Sequence, residues 1–163
     1  MEIKFHSTVI MVEHFEQMKA FYQDILQQQI EFDFGNCIGF KNGLSLWKLK
    51  EEYPIAKKLG RTFDNSGNKN LEICFETDDF ELVAEKLKNH QLNYLHKETE
   101  EVWGQQTIRF YDPENNLVEI GETITCFVKR FYNEGMTIEE VAKRTSVPTE
   151  LVSEICRTNT KRL

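Results

Sequence analysis

The sequence predicts an α+β protein: two copies of a strand–helix–three-strand module, then a short all-helical extension. Three observations carry that reading. Residues 71–122 run as strand, helix and three strands, residues 3–50 repeat that order, and beyond Glu122 the apolar spacing is that of helices alone. Two such βαβββ modules give curved, mostly antiparallel half-sheets around a cleft, where pockets commonly form.

In the first module, Ile3 to Val12 reads as a strand around the β-branched run Thr8-Val9-Ile10. A helix is expected over His14 to Gln28, because Phe15, Met18, Phe21, Ile25 and Leu26 recur at steps of three and four. Ile30 to Phe34, Cys37 to Lys41 and Leu44 to Leu49 are short strands. Gly35-Asn36 and Asn42-Gly43 punctuate them as turns.

The second module opens with a strand over Leu71 to Thr77. Asp78-Asp79-Phe80-Glu81 then offers an N-cap with a glutamate three positions on, and Phe80, Val83 and Leu87 fall at helical spacing. Leu92 to His96 is a short strand and Trp103 to Tyr111 a longer alternating one. Asp112-Pro113-Glu114-Asn115-Asn116 is turn chemistry, and Leu117 to Gly121 closes the module.

Residues 51–70 form a connector marked by Pro54, Gly60, Ser66 and Gly67, with a helical turn expected over Ile55 to Arg61. In the extension, residues 123–163, the first helix carries Ile124, Phe127, Val128 and Phe131 and stops near Gly135. Thr137-Ile138-Glu139-Glu140 is a capping box for a second helix, and Pro148 opens a third. Three short helices around Glu134-Gly135-Met136-Thr137-Ile138-Glu139-Glu140-Val141-Ala142 resemble the helix-turn-helix modules of small regulators. The third helix, however, holds Glu150 and Glu154 and only one basic residue, Arg157. A recognition helix needs basic or amide side chains for phosphates and bases, so nucleic acid is not the expected partner. Packing on the domain, covering a sheet edge or mediating dimerisation is the expected role.

The chain of 163 residues suits one domain, 1–122, with an appendage, 123–163. Its net charge of −7 disfavours nonspecific binding to nucleic acid or anionic membrane. That charge is uneven: residues 1–122 carry 13 basic and 22 acidic side chains, residues 123–163 carry 7 and 5. Cys37, Cys74, Cys126 and Cys156 are scattered with no CxxC pair, so reduced thiols in a cytoplasmic protein are expected. No segment has the length or apolarity of a membrane span, and the start reads as a strand rather than a signal peptide.

Trp103-Gly104-Gln105 before the seventh strand, and Asp112-Pro113 through Leu117-Val118-Glu119-Ile120 after it, carry a family resemblance. With the duplicated module, they resemble the vicinal oxygen chelate superfamily of glyoxalase I, bleomycin resistance proteins and extradiol dioxygenases. Phe21-Tyr22 falls where that superfamily usually has Phe-Tyr; the usual Leu-Gly ending is here Leu26-Gln27.

The resemblance implies four inward positions that hold a divalent ion such as Zn, Ni, Fe or Mn. The closing-strand position falls on Glu119, the fifth-strand position on Glu72 and the fourth-strand position on Leu46. The first-strand position falls on Ser7, one residue after His6, and adjacent strand residues face opposite ways. That inventory is poor for a transition metal, so no cofactor is expected. If a metal is bound, Glu119, Glu72 and His6 are the expected ligands.

Glu119 and Glu72 read either as a catalytic carboxylate pair in the cleft or as remnants held by hydrogen bonds. Trp47 and Trp103 are candidate flat walls for a ligand. Arg109 is a candidate partner for a ligand carboxylate or for Glu119. A metal-free binder of a small organic molecule, acting as a homodimer, is the reading placed first. A metal-dependent lyase or dioxygenase comes second, and a ligand-responsive regulator third.

Overall fold

In the computed structural model, which describes residues 4–59 and 70–157, each module forms its own four-stranded mixed sheet. The expected strand start at Ile3, and Gly60, Arg61, Ser66 and Gly67 of the connector, lie outside the described residues. The chain divides into two compact units: residues 1–70 with 112–116, and residues 71–111 with 117–163.

The first unit contains β1 (Thr8–Val12), α1 (Phe15–Ala20), β2 (Ile30–Asp33), β3 (Cys37–Phe40), β4 (Leu44–Lys48) and α2 (Pro54–Leu59). The sheet order is β1-β4-β3-β2, with β1 parallel to β4 and the other pairings antiparallel. Alternate residues Ile10, Val12, Ile38, Phe40, Leu44 and Leu46 are buried, as are Phe15, Met18 and Tyr22 of the helical segment. The expected single helix to Gln28 is shorter. After Ala20 it widens into a π-helical turn, Phe21–Ile25, and the chain leaves it through Gln27 at φ 54°. Gln27 thus takes a left-handed conformation in the place where the superfamily usually has glycine.

The Asp112-Pro113 turn belongs to this unit. Buried Asp112 accepts hydrogen bonds from Tyr22 Oη (2.9 Å), the Glu114 amide (2.9 Å) and the Asn116 amide (2.9 Å). The Glu114 carboxylate accepts from the amides of Glu13 (2.9 Å) and His14 (2.7 Å), just ahead of α1. Burial drives the Asp112 carboxyl above its usual range, with those hydrogen bonds opposing the shift. Tyr22→Phe removes one donor from a buried carboxylate and is expected to cost about 1–3 kcal/mol in urea unfolding. An unchanged midpoint would show that Asn116 and the backbone already satisfy Asp112.

The second unit contains β5 (Glu72–Thr77), α3 (Phe80–Leu87), β6 (Asn93–Glu100), β7 (Gln106–Tyr111) and β8 (Leu117–Glu122), in sheet order β5-β8-β7-β6. Asp79 caps α3, accepting from the Leu82 amide at 3.3 Å. Ile108, Phe110, Val118 and Ile120 are buried, as are Phe80, Ala84 and Leu87 on α3. Two boundaries differ from expectation. β6 runs on to Glu100 across register shifts near His96, and Trp103 lies in a turn rather than at the start of β7. The Gly104 amide donates to Glu101 O (2.8 Å) and the Glu101 amide to Gln105 O (2.8 Å), closing that turn around Gly104 at φ +92°.

The extension forms α4 (Ile124–Asn133), α5 (Ile138–Thr145) and α6 (Thr149–Arg157) within the second unit. The Thr137–Glu140 capping box is present in full. Phe127, Val128, Phe131, Val141, Val152, Ile155 and Cys156 form its core. Arg130 of α4 pairs with Glu122 at 2.9 Å and donates to Gly104 O at 2.6 Å; Arg144 of α5 pairs with Glu100 at 2.6 Å. Glu150, Leu151, Glu154 and Arg157 form the exposed side of α6. No described helix is long and apolar enough to cross a membrane.

Candidate functional site

Strand alternation gives the second sheet two unlike faces. One buries Ile108, Phe110, Val118 and Ile120. On the other, the register aligns Cys74 of β5, Glu119 of β8, Arg109 of β7 and His96 of β6 in one row. Glu72 lies two residues before Cys74 and so shares that face.

Arg109 is the centre of the row. Its Nε donates to Glu72 Oε1 at 2.6 Å, its Nη1 group donates to Glu101 and its Nη2 group pairs with Glu119. Nη1 also lies 3.1 Å from His96 Nε2 and 3.3 Å from Thr107 Oγ1. His96 Nδ1 is 2.8 Å from Lys97 O, which assigns the proton to Nδ1 and leaves Nε2 to accept from Arg109. One guanidinium therefore faces three carboxylates. Of the two partners considered for Arg109, a ligand carboxylate or Glu119, the second is met here, and the planar fork has little left to offer a ligand.

Charge and burial oppose one another here. Burial lowers the affinity of Arg109 for its proton, but the hydrogen bonds to Glu101 and Glu72 outweigh it and hold the guanidinium charged. Glu101 is lowered, chiefly by its hydrogen bond to Arg109. Glu119 is raised: burial leads, Arg109 opposes, and Glu72 and Glu101 add to the rise. Burial first, then Glu119 and Glu72, push the Cys74 thiol up to about 11. Because folded Glu119 keeps its proton to higher pH than the unfolded chain does, its contribution to stability falls as pH rises above the ordinary carboxylate value of 4.5. The stability of the parent relative to Glu119→Gln should therefore decline as pH rises from about 4.5 through the raised pKa. Urea titrations of both proteins across that window check this; a difference that grows with pH would contradict it.

Glu72, Cys74 and Glu119 place a ligand-type atom each within 4.8 Å of one another. The set does not suit a divalent ion while Arg109 is in place. Both carboxylates already hold its guanidinium, and at neutral pH the thiol is protonated where a metal needs thiolate. An ion about 4 Å from that guanidinium would meet roughly 8 kcal/mol of repulsion at an effective dielectric near 20.

Among the described residues, the first unit's sheet carries no comparable set. The position paired as Glu119 is paired, between Val9 and Gly39, is Ser45. Leu46, expected to take the fourth-strand role, instead points into the core with no exposure. Ser7 stands two residues before Val9, as Glu72 stands before Cys74. His6 is exposed and precedes β1, and Trp47 stacks on Tyr53 with ring centroids 5.9 Å apart. Glu72, Glu119 and Arg109 thus come together in the second unit, whereas His6 and Trp47 belong to the first. Trp103 is partly exposed in its turn and donates from Nε1 to Gln105 Oε1 at 3.0 Å.

The description "Glyoxalase-like domain" matches residues 5–125. The chain belongs to that family, and with it to the vicinal oxygen chelate superfamily. A crystal structure of a protein of unknown function from Agrobacterium tumefaciens str. C58 is 26% identical, with a TM-score of 0.66 over 76% of this chain and 97% of that one. A lactoylglutathione lyase from Agrobacterium tumefaciens is 20% identical, with a TM-score of 0.56 over 74% of this chain and 93% of that one. A glyoxalase/bleomycin resistance protein/dioxygenase family enzyme from Burkholderia phytofirmans PsJN is 17% identical, with a TM-score of 0.62 over 75% and 100%. The last two share the fold. No curated protein matches the chain. α5 and α6 lie beyond the glyoxalase-like match.

Proposed function

We propose that this glyoxalase-like protein binds a small organic molecule on the Arg109 face of its second sheet, without a resident transition metal. The observation that supports it is Arg109 itself, whose guanidinium engages both carboxylates that would otherwise be ligands. A positive side chain has the place of a positive ion. Three carboxylates around one guanidinium leave a negative surplus, so the ligand presents a hydrogen-bond donor or a positive group towards Glu119. Glu119, with its raised pKa, and Glu72 are proposed as the groups that exchange a proton with such a ligand. Trp103 is proposed as an apolar wall, and the protein as a cytoplasmic homodimer, a state that light scattering reads directly.

The proximity of Glu72, Cys74 and Glu119 favours one other reading, a divalent-metal-dependent lyase or dioxygenase with Glu119 and Glu72 as ligands. The test is the metal content of untagged protein purified without chelators, followed by thermal melts with added Zn, Ni, Fe or Mn. The binding reading expects substoichiometric metal and no gain in melting temperature. Near-stoichiometric metal that raises the melting temperature would replace it with the enzyme.

A further inference from the structure

We propose, on the reading that the Arg109 face is the binding site, that the helical extension governs that site through the turn at residues 101–105, with Arg130 and Arg144 as positioning residues. Alternate residues from Glu100 to Gln105 serve opposite sides. Glu100, Val102 and Gly104 are held by the extension. Arg144 pairs with Glu100 at 2.6 Å and donates to Val102 O, while Arg130 meets Glu100 at 3.2 Å and donates to Gly104 O at 2.6 Å. The Phe131 ring packs directly on Gly104.

Glu101, Trp103 and Gln105 serve the site instead. Glu101 accepts from Arg109 Nη1, and from Thr107 Oγ1 at 3.0 Å. Gln105 lies over Gly121, two residues past Glu119 on the same face, where a Cβ would stand 2.6 Å from Gln105 Nε2. Trp103 Nε1 donates to Gln105 Oε1 at 3.0 Å. One short turn thus supplies a carboxylate to Arg109 and an aromatic wall beside it, and α4 and α5 fix that turn from behind. Among the described residues, the ion pairs of Arg130 and Arg144 go to Glu100 and Glu122, and none goes to Glu72, Glu101 or Glu119. Their effect on the site passes through the backbone of the turn. Both arginines lie beyond residues 5–125, which match the glyoxalase-like family, so this control belongs to the extended chain. A shift of the turn moves Glu101 and Trp103 together, and a loosely seated extension weakens the hold on a ligand. Linkage makes the effect reciprocal: whatever occupies the face steadies the extension.

The test is Arg144→Gln in the full chain, read by NMR as the exchange with water of the Arg109 Nε proton, which is donated to Glu72. Coupling of ordinary size should speed that exchange about tenfold while the β7 backbone amides keep the parent's rates. Arg144→Lys, which retains the charge and a donor, should restore it, and Arg157→Gln, which removes an exposed cation from α6, should leave it as in the parent. Glu101→Gln works from the other end and should speed exchange of the α5 amides but not those of α3. A lower melting temperature in Arg144→Gln with the Arg109 proton unchanged would show a purely structural role and overturn the proposal. An equal effect of Arg157→Gln, or unperturbed α5 amides in Glu101→Gln, would overturn it too. Exchange is read without ligand or metal, so its failure is distinct from failure of the binding reading, which metal content decides.

Discussion

Arg109→Met is expected to destabilise the protein by about 3 kcal/mol and to create a divalent-ion site in the same step. The side chain is largely buried, and so are Glu101 and Glu119 around it. Removing the shared cation leaves three carboxylates within reach of one another without compensation. Coulombic repulsion then does two things: it lowers the stability and raises the pKa of each carboxylate. The same vacancy relieves the repulsion that an ion would meet, and the Glu72 and Glu119 oxygens become free to coordinate. Added Mn or Zn should therefore recover much of the lost melting temperature in the variant and do little for the parent. Arg109→Lys keeps the charge but not the fork, so it should fall between the two. A Met variant as stable as the parent without metal would show that the carboxylates do not depend on Arg109. A variant that is destabilised but indifferent to metal would show that they cannot converge on an ion.

Element order and the capping signals were legible in the sequence because they are local. Phe80-Val83-Leu87 and Thr137–Glu140 encode helices through spacing and side-chain-to-backbone bonds, and both sit where those signals place them. Glu72, Glu119 and Arg109 could be singled out by family position and alternation. That Arg109 would gather both glutamates could not, because it depends on register across three strands. Alternation on β5 did carry a usable signal for Cys74, two residues from Glu72. Glu101 carried none, since it comes from a turn whose geometry rests on Gly104 and the extension. Leu46 was misplaced for a related reason. Matching modules by sequence leaves a one-residue ambiguity, and on a strand one residue exchanges core for solvent-facing surface.

Phe131→Ala is the companion experiment for the extension, with an expected cost of about 3–4 kcal/mol. Phe131 is 4% exposed in the helical core, and its ring edge reaches the turn before β7. A Cβ on Gly104 would stand 2.4 Å from Phe131 Cε2, so glycine there serves both its φ of +92° and the close approach of the ring. Arg130 and Arg144 flank that ring, 4.6 and 5.3 Å from its centroid, and both reach backbone oxygens of the turn. The turn in turn supplies Glu101 to Arg109. Truncating the ring should therefore loosen the extension and also speed hydrogen exchange of the amides of residues 101–105. Gly104→Ala separates the two effects. In the parent it meets both the ring and the left-handed backbone, whereas in the Phe131→Ala background only a backbone cost of about 1–2 kcal/mol remains. The double variant should thus be more stable than the sum of the single losses predicts. Strict additivity, with exchange at 101–105 unchanged, would mean that α4 rests on the sheet without holding the turn.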